Sequence, residues 1–390
     1  MDLFANTRID FMKYRRVWIA LSIVAVTITV FMVFVHGKLN LGIDFAGGTQ
    51  LTVRFADPPE VDEIRRVVGE AGIEEAQIQR FGEAEAHEVI IKTPTLEGES
   101  EGSRGLIEAS FDEEYNGGGG GFDLNQRGVD ALAELLLAAD PDQVRAGDET
   151  LAGTHYRRIA ERIVEQRGDL GLLTDWSQVT GVEGVTPETA KVLQEQTKLG
   201  RYAIVGAENV GPQIGSELRR KGIWAVVLSL LGMLAYIWLR FELRFGIGAL
   251  VAVAHDVLVV LGLFTFFDFE FNLTTVAAFL TLVGYSVNDT VVVFDRVREN
   301  MRQNPREPLE SVMNTSINQT LSRTLLTSGT TLLTVACLLF LGGDVLRGFG
   351  FILTVGIIVG TYSSIYIASP FALLWEQVFG GQARARRKAA

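Results

Sequence analysis

Six long apolar runs dominate the pattern of hydrophobic and polar residues along the chain. A helix of about 20 apolar residues crosses the hydrocarbon core of a bilayer, and each run reaches or approaches that length. The pattern therefore predicts six membrane-spanning helices. Their predicted bounds are 17–35, 222–240, 245–267, 272–295, 322–342 and 348–376.

The stretches between these runs predict the remaining domains. Residues 36–221 are mostly polar and long enough for one sizeable domain in water. Residues 1–16 precede the first span, residues 296–321 form a loop between the fourth and fifth spans, and residues 377–390 form a basic tail. The predicted fold class is an α-helical membrane protein with an aqueous α+β domain between its first two helices.

Strand and helix periodicities alternate within the aqueous domain. Gln50–Phe55 alternates as a strand does, and an amphipathic helix follows from Val61. Two further strands are predicted at Ala76–Phe81 and His87–Lys92, and a returning strand at Tyr202–Val205 that ends in a turn. Strand, helix, strand, strand is half of a ferredoxin-like unit.

Residues 97–127 break this pattern. They are rich in Glu, Gly and Ser and include five successive glycines, Gly117–Gly121. This composition predicts a flexible surface loop within an insertion at about residues 95–200. Inside the insertion, helical patterns occupy residues 129–140, residues 155–167 and the segment that Thr186 opens as an N-cap.

The loop between the fourth and fifth spans carries its own apolar pattern. Leu309, Val312, Met313 and Ile317 recur at helical spacing beside polar neighbours. This pattern is typical of an amphipathic helix that lies at the membrane interface.

Charge is distributed unevenly between the aqueous domain and the rest of the chain. The 390 residues carry a net charge of −12, whereas residues 36–221 alone hold 34 acidic and 19 basic side chains. Outside that domain, Arg and Lys cluster before the first span and after the second, fourth and sixth. The positive-inside rule then predicts two cytoplasmic termini and an acidic domain on the outer side of the membrane.

Composition also predicts which kinds of site are absent. The single cysteine, Cys337, cannot form an intrachain disulfide, and the four histidines do not cluster as metal ligands would. We therefore expect no metal and no cofactor, and we expect no nucleic-acid partner. The first apolar run is too long for a signal-peptide core and lacks a cleavage site, so we expect a retained anchor.

An acidic residue lies inside the fourth predicted span. Asp289, preceded by Asn288, lies about 24 Å along that helix, and Arg323 opens the next apolar run at the same predicted depth. Ionisable groups within spans are costly and usually mark ion pathways. Asp289 and Arg323, with the neighbouring Asn288, are therefore candidate proton-coupling residues of a relay whose charge state follows the separation of Asp289 and Arg323. The alternative is a static ion pair that joins two helices.

A second polar pair lies near the middle of the third predicted span. His255 and Asp256 are adjacent in an otherwise apolar run. They suit either a proton relay or a hydrogen-bonded structural pair, and the sequence leaves both interpretations open.

Five short motifs, in chain order, resemble those of the SecF family. They are Gly42–Thr49, Glu208–Pro212, His255-Asp256, Gly284–Arg296 and Ser322–Thr324. The resemblance covers about residues 8–92 and 201–378. The insertion is the departure, because it makes the aqueous domain longer than the family leads us to expect. Motif residues to which we assign a structural role are Gly42, Asp44, Gly47, Gly48, Gly211 and Pro212.

The resemblance implies a fold and a task. It implies the transmembrane fold of proton-driven resistance-nodulation-division (RND) exporters and a ferredoxin-like outer domain. The implied task is that of a non-enzymatic accessory subunit of the Sec translocase, in the bacterial inner membrane, that uses the proton-motive force to aid export. The implied partners are SecD, the SecYEG channel, YajC, the translocating preprotein and membrane lipid. By motif position, the proton-coupling carboxylate falls on Asp289 and its arginine partner on Arg323.

Three other functions are compatible with parts of the pattern. A small-molecule or lipid exporter of the RND superfamily would share the acidic residue, but it usually carries two six-span halves in one chain. An intramembrane aspartyl protease could pair Asp256 with Asp289, although neither lies in a Gly-x-Gly-Asp element. A purely structural scaffold would leave Asp289 unexplained.

Overall fold

The structure is a computed structural model that includes side chains. It describes residues 7–35, 37, 39–73, 76–82, 84–94, 102–118, 121–145, 149–240 and 243–380. The chain divides into two compact units. We call residues 46–216 the sheet unit, and residues 1–45 together with 217–390 the membrane unit.

The helices and strands of the described residues are numbered in chain order. The strands are β1 (Gly48–Phe55), β2 (Gln77–Phe81), β3 (Glu88–Thr93), β4 (Phe122–Asp123), β5 (Thr197–Lys198) and β6 (Tyr202–Val210). The helices of the first half are α1 (Arg15–Val30), α2 (Ile43–Ala46), α3 (Val61–Glu70), α4 (Gly102–Asn116), α5 (Val129–Ala139), α6 (Glu149–Leu170), α7 (Trp176–Thr180) and α8 (Pro187–Gln196). The remaining helices are α9 (Pro212–Arg240), α10 (Leu243–Phe266), α11 (Leu273–Gln303), α12 (Leu309–Leu341), α13 (Gly343–Ser363) and α14 (Ser369–Trp375).

Four antiparallel strands form the main sheet, in the spatial order β2-β3-β1-β6. The predictions for the first three strands and for α3 are confirmed. Leu51, Val53 and Phe55 of β1 lie on one face and are buried, as a period of two residues requires. Ile64 and Val68 of α3 pack against that face and are fully buried.

The prediction of a flexible loop over residues 97–127 is wrong. About half of that stretch, Gly102–Asn116, is α4, which packs in the same core as α3. Ile107 and Phe111 are fully buried there, and Tyr115 packs beside them. A spacing of four residues puts all three on one helical face. The abundant Glu, Gly and Ser around them conceal that apolar stripe.

With α4 in place, the elements of the sheet run β-α-β-β-α-β, which is the order of a ferredoxin-like unit. The sequence predicted half of this unit, because the second helix falls in the misjudged stretch. Residues 95–101, Gly119 and Gly120 of that stretch lie outside the described residues.

The last strand is longer than predicted. β6 continues through Gly206 to Val210, where the sequence predicts a turn. Its register pairs Phe55 with Tyr202 and Gly48 with Val210. The residues Gly206–Val210 have little intrinsic preference for a strand, but their backbone hydrogen bonds with β1 hold them in one. Pairing with β1 therefore decides the length of β6.

Between β4 and β5 the insertion folds into a helical part with its own apolar core. The predicted helices are confirmed, although α6 is longer than predicted at both ends. Tyr156 and Leu136 are fully buried in this core. Thr186 caps α8 as predicted, since its Oγ1 accepts a hydrogen bond of 3.1 Å from the amide of Thr189.

The membrane unit contains six helical segments of the described chain that are long and apolar enough to cross a membrane, as predicted. Three of them form the centre of the unit. In the most apolar stretches of α10, α11 and the last span, 56%, 56% and 67% of residues are buried, against 11%, 6% and 17% in the first, second and fifth spans. The last span continues beyond α13 through a π-helical segment, Ser364–Ala368, into α14.

The residues before α1 lie along the first turns of α12. The side chain of Asn318 forms two hydrogen bonds with the backbone of Ile9, both of 2.9 Å. Its Oδ1 accepts one from the amide of Ile9, and its Nδ2 donates the other to the carbonyl of Ile9. Phe11 and Met12 are buried in the core of the unit.

The prediction of an interfacial helix in the loop before the fifth span is therefore wrong. Val312, Met313 and Ile317 are fully buried in the helix bundle, and they belong to α12, which runs without a break into the fifth span. Their helical periodicity is real. An amphipathic pattern is typical both of a helix packed in a bundle core and of a helix at a membrane interface, so the sequence alone does not distinguish these two positions.

Candidate functional site

Asp289 of α11 is buried in the membrane unit, with 2% of its surface exposed. Its Oδ2 accepts a hydrogen bond of 3.0 Å from the hydroxyl of Ser328 on α12. Thr361 on α13 donates in turn to the Ser328 oxygen at 3.1 Å. The carboxyl group on α11 is thus linked through two hydroxyls to two neighbouring spans, α12 and α13.

Close packing of α11 against α13 brings these groups together. A Cβ atom on Gly360 would lie 3.3 Å from the Cβ of Ser286, and a Cβ on Gly356 would collide with Leu282. Small residues at a helix crossing let the two backbones approach closely.

Three further hydroxyls in this part of the bundle are buried without a hydrogen-bond partner among the described residues. Tyr285 lies one turn before Asp289 on α11, and Thr324 lies one turn before Ser328 on α12. Thr354 lies on α13. Buried polar groups normally find partners, so these hydroxyls can bind water.

Arg323 is not paired with Asp289 in this conformation. Its side chain is exposed on α12, and within the described chain the two residues form neither an ion pair nor a hydrogen bond. Arg323 precedes Ser328 by five positions, which places the two about 140° apart around the helix axis. The face of α12 that contacts Asp289 is therefore the face of Ser328 and Thr324.

Asp256 of α10 is fully buried in a separate network. Its Oδ1 lies 2.8 Å from Nδ1 of His255, and its Oδ2 accepts hydrogen bonds from Ser286 of α11 and, at 2.7 Å, from Ser363. The other ring nitrogen of His255 lies 3.0 Å from the hydroxyl of Tyr362. Both carboxylate oxygens are satisfied, as a buried structural polar network requires.

The two networks lie on opposite sides of the contact between α11 and α13. α11 provides Ser286 to Asp256 and Asp289 to Ser328. α13 provides Ser363 to Asp256, and Thr361 to Ser328. The two acidic residues share no hydrogen-bond partner in the described residues.

Asn288 does not join either network. It is exposed on α11, on the same face as Ala277, Thr281 and Gly284. These residues recur every three or four positions, so they form one outward stripe of small and polar side chains. We call Ala277, Thr281, Gly284 and Asn288 the α11 stripe.

Two glycines at the start of β1 have backbone conformations that other residues rarely adopt. Gly47 has φ +76°, and a Cβ there would lie 3.2 Å from the Cα of Pro212. Gly48 has φ +131°, and a Cβ there would lie 2.3 Å from the carbonyl oxygen of Thr93 on β3. Only glycine fits so close to a neighbouring backbone.

Gly42 and Asp44 lie beside the start of α11 in the membrane unit. The amide of Gly42 donates to the carbonyl of Phe271 at 2.9 Å. Oδ2 of Asp44 accepts from the amide of Leu273, the first residue of α11, at 2.9 Å. Asp44 and the N-cap Asn272 therefore both satisfy free amides of the helix that carries Asp289.

Two family models match: "Protein export membrane protein SecD/SecF, C-terminal" over residues 189–378, and "SecD/SecF GG Motif" over residues 33–59. The protein translocase subunit SecF of Koribacter versatilis is 39% identical over 388 residues, which cover 97% of this chain and 94% of that protein. The chain belongs to the SecF family. SecF of Desulfurispirillum indicum is 35% identical and matches over 94% of this chain and 92% of its own length.

Two solved structures of SecDF resemble this SecF family member. SecDF of Thermus thermophilus, described as a translocon-associated membrane protein, has a TM-score of 0.65 and 32% identity over 97% of this chain. SecDF in its super-membrane-facing form has a TM-score of 0.56 and 32% identity over 98% of this chain. The chain spans 40% of the length of each SecDF chain.

The remaining motif residues of this SecF family member have different surroundings. Pro212 is the first residue of α9, a position where its missing amide costs no hydrogen bond. Gly211 has no atom within 4 Å of the position that a Cβ would take. The structure thus gives no steric reason for glycine at position 211.

The sequence interpretation missed several residues of the two networks. Ser286, Thr361, Tyr362 and Ser363 were not candidates, although they support both acidic residues. One signal was available, since three of them form a polar cluster in an apolar span. No sequence signal indicates which of them face Asp256 and which face Ser328. No group of three or more His, Cys, Asp or Glu that could hold a metal ion is found in the described parts of the chain.

Proposed function

We propose that this chain is a proton-motive-force-coupled accessory subunit of the Sec preprotein translocase. Family membership supports the task, which is to aid protein export across the cytoplasmic membrane. One observation carries the coupling: Asp289 is buried in a membrane-spanning helix, and its hydrogen-bond partner is the hydroxyl of Ser328. A carboxyl group in that position is costly to ionise, and in membrane proteins such groups commonly carry protons. The role is one of transport and not of catalysis.

The proposed cycle uses two states of Asp289. In the protonated state the carboxyl is neutral and stays among the hydroxyls of Ser328 and Thr361. When the proton leaves, the negative charge attracts a cation, and Arg323 is the nearest candidate on the facing helix α12. Since Arg323 is exposed and not paired with Asp289 in this conformation, pairing requires its side chain to reorient or α12 to turn or shift.

The membrane potential can drive such a change. Each proton that crosses 100 mV supplies about 2.3 kcal/mol, which shifts a two-state equilibrium roughly 50-fold. The unpartnered hydroxyls of Tyr285, Thr324 and Thr354 would hold water along the contact of the three helices. Water held there gives protons a route to and from Asp289.

A movement of α11 can reach the segment that leads into the sheet unit. Asp44 caps the first residue of α11, and the backbone of Gly42 bonds to Phe271 just before it. Asp44 precedes Gly47 by three residues in the chain. We propose that this link carries the change to the outer domain, which grips or releases an emerging preprotein.

Orientation and partners follow from charge and exposure. We propose that both termini are cytoplasmic and that residues 36–221 are outside the inner membrane, since the basic clusters that lie outside residues 36–221 fall on one predicted side and that domain is acidic. SecD is the proposed partner of the membrane unit. SecYEG, YajC, the preprotein and membrane lipid are proposed as further partners on the basis of the family.

The structure favours this function over an intramembrane aspartyl protease. A protease would need two carboxyl groups that share a proton. The carboxyl group of Asp256 is hydrogen-bonded to His255, Ser286 and Ser363, whereas that of Asp289 is hydrogen-bonded to Ser328. The two carboxyl groups therefore do not share a proton in this conformation. The proposed role of Asp256 is accordingly to hold the central helices together.

The experiment measures export into membrane vesicles with and without a pH gradient. We expect Asp289→Asn to assemble normally with its membrane partners and to lose the gradient-dependent part of export. The matched control is Asp295→Asn, which removes one exposed acidic charge further along α11 and should keep the gradient dependence. Gradient-dependent export by Asp289→Asn at the level of the unchanged protein would contradict the proposal.

A further inference from the structure

A groove on the surface of the membrane unit is not used by the proposed proton cycle. It has a volume of about 550 Å³ and lies between α1, α10 and the end of the last span. Ile19 and Ile23 of α1, Leu258 of α10 and Phe371 of α14 form its apolar walls. Cavities of this size accept a single chain or a small molecule, whereas a whole helix is about 10 Å across.

One end of the groove is basic and polar. Arg15, Arg16 and Gln377 line it there. Arg15 is partly neutralised by Glu310, at 2.5 Å. Arg16 is exposed and forms no ion pair with any described residue, so its charge is available to a ligand. Glu376, the acidic residue next to Gln377, is already paired with Arg244 at 2.8 Å.

The length of the groove matches one leaflet. From Arg16 to Val26, its last apolar residue on α1, the helix rises about 15 Å, which is half the roughly 30 Å thickness of the hydrocarbon core. The basic end lies at the start of α1, on the side that the charge pattern assigns to the cytoplasm. The cytoplasmic leaflet is also the leaflet that is rich in anionic lipid.

The inner wall of the groove touches the network of Asp256. His255 and Ser22 both line the groove. The hydroxyl of Ser22 lies 3.4 Å from that of Tyr362, which bonds to His255. An apolar chain in the groove would therefore cover the side of this network that faces the lipid.

The geometry points to a binding site for one anionic phospholipid, with its phosphate group at Arg16 and Arg15 and an acyl chain in the groove. Three observations carry this inference: Arg16 has no ion-pair partner among the described residues, the apolar groove has the size of one acyl chain, and its length matches one leaflet. It is independent of proton coupling, since neither Asp289 nor Ser328 lines the groove.

The test uses the full chain in nanodiscs that contain equal amounts of phosphatidylglycerol and phosphatidylcholine. We expect phosphatidylglycerol to be retained preferentially after extraction, as measured by native mass spectrometry. Arg16→Gln should lower that preference about fivefold, the effect of about 1 kcal/mol for one basic residue near the membrane surface. Arg302→Gln, which removes an exposed arginine outside the groove, should leave it unchanged.

A second measurement locates the acyl chain. Phosphatidylglycerol with a photoreactive group on its chain should label α1, α10 and α14. Ile23→Trp, which fills the groove, should abolish this labelling, whereas Ile28→Trp, at an exposed position outside the groove, should not. Thermal unfolding of each variant checks that it is folded.

Three results would overturn the inference. The first is equal retention of the two lipids. The second is an equal loss of preference in Arg16→Gln and Arg302→Gln, which would indicate surrounding lipid without a site. The third is occupancy of the groove by a protein, seen as crosslinks from the Ile23→Cys variant to a partner or to a second copy of the chain.

Discussion

At the scale of single residues, two buried aspartates in neighbouring helices differ in the number of hydrogen bonds that their carboxyl groups form. Asp256 receives three side-chain hydrogen bonds and is fully satisfied. Asp289 receives one, from a hydroxyl that can rotate. A fully bonded carboxylate rigidifies its site, whereas a sparsely bonded one can change its protonation state and partner. This difference is why we assign structure to the first residue and proton coupling to the second.

Gly48 permits a residue-scale prediction. Gly48→Ala should destabilise the sheet by about 2 kcal/mol or more, because a Cβ would collide with the Thr93 carbonyl at an unfavourable φ. Hydrogen exchange of the β1 and β3 amides in the full chain measures this. The control is Gly153→Ala in α6, where the added methyl group meets no atom and should stabilise the helix by about 0.5–1 kcal/mol. Unchanged protection of β1 in Gly48→Ala would contradict the steric argument.

At the scale of elements, a polar cluster joins the helices of the insertion. Asp142 follows α5, and its carboxylate bonds to His155 of α6 at 2.8 Å, to Thr186 at 2.5 Å and to Thr189 of α8 at 3.1 Å. Burial alone would raise the pKa of Asp142. The hydrogen bonds from Thr186, His155 and Thr189 outweigh it and hold the pKa below its ordinary value.

This cluster predicts acid sensitivity of the insertion. Since the folded pKa is depressed, the stabilisation is complete above the ordinary aspartate value of about 3.9 and is lost as pH falls through the folded pKa. Asp142→Asn should remove this part of the acid transition. The measurement is the pH dependence of thermal unfolding, followed by the NMR signal of fluorotryptophan at Trp176, the one tryptophan of residues 36–221.

The control for that measurement is Asp130→Asn. The Asp130 side chain is 80% exposed and pairs with Arg157 at the surface, where such pairs contribute little. The Asp130→Asn variant should therefore have the same acid transition as the unchanged protein. An identical acid transition in Asp142→Asn and the unchanged protein would show that the cluster does not link the helices.

At the scale of the whole molecule, the spans divide into central and peripheral helices. α9 and α12 are little buried within the chain, and α11 presents its stripe of small and polar residues outward. In lipid, helices associate through small residues that permit close packing. These surfaces suit contact with a second set of membrane helices, and we propose that SecD provides it at the α11 stripe.

Gly284→Leu tests that contact. A Cβ at Gly284 meets no atom of the described chain within 4 Å, so the fold should tolerate leucine while the close approach of a partner helix is blocked. We expect loss of most SecD from the purified complex. Gly232→Leu, on the exposed face of α9 with equal free space, is the matched control and should retain SecD. Full retention of SecD by Gly284→Leu would exclude the α11 stripe as the contact.

The order of helices and strands along the chain could largely be predicted from local sequence patterns. Runs of about 20 apolar residues can only be spans, and the alternation around Leu51 and Val53 can only bury one face of a strand. The family motifs could also be recognised in the sequence, because glycines such as Gly48 occupy positions where a residue with a side chain does not fit. Span length, strand alternation and the positive φ of Gly48 are properties of one segment, so the sequence predicts them, whereas the contact between Gly48 and Thr93 joins residues far apart in the chain.

The errors arose where distant residues decide the structure. α4 is a helix because its thin stripe of Ile107 and Phe111 finds an apolar sheet face to cover, and β6 reaches Val210 because β1 pairs with it. Likewise Met313 is buried by the rest of the bundle and not by the membrane surface.

The sequence by itself determined the six spans, the sheet pattern and the presence of an acidic residue in the membrane. Tertiary structure decided which hydroxyls surround Asp256 and Asp289, and that Arg323 is exposed and not paired with Asp289 in this conformation. The physical reason is that hydrophobic length and period are properties of one segment, whereas the partners of a buried polar group depend on how helices far apart in the chain cross and rotate.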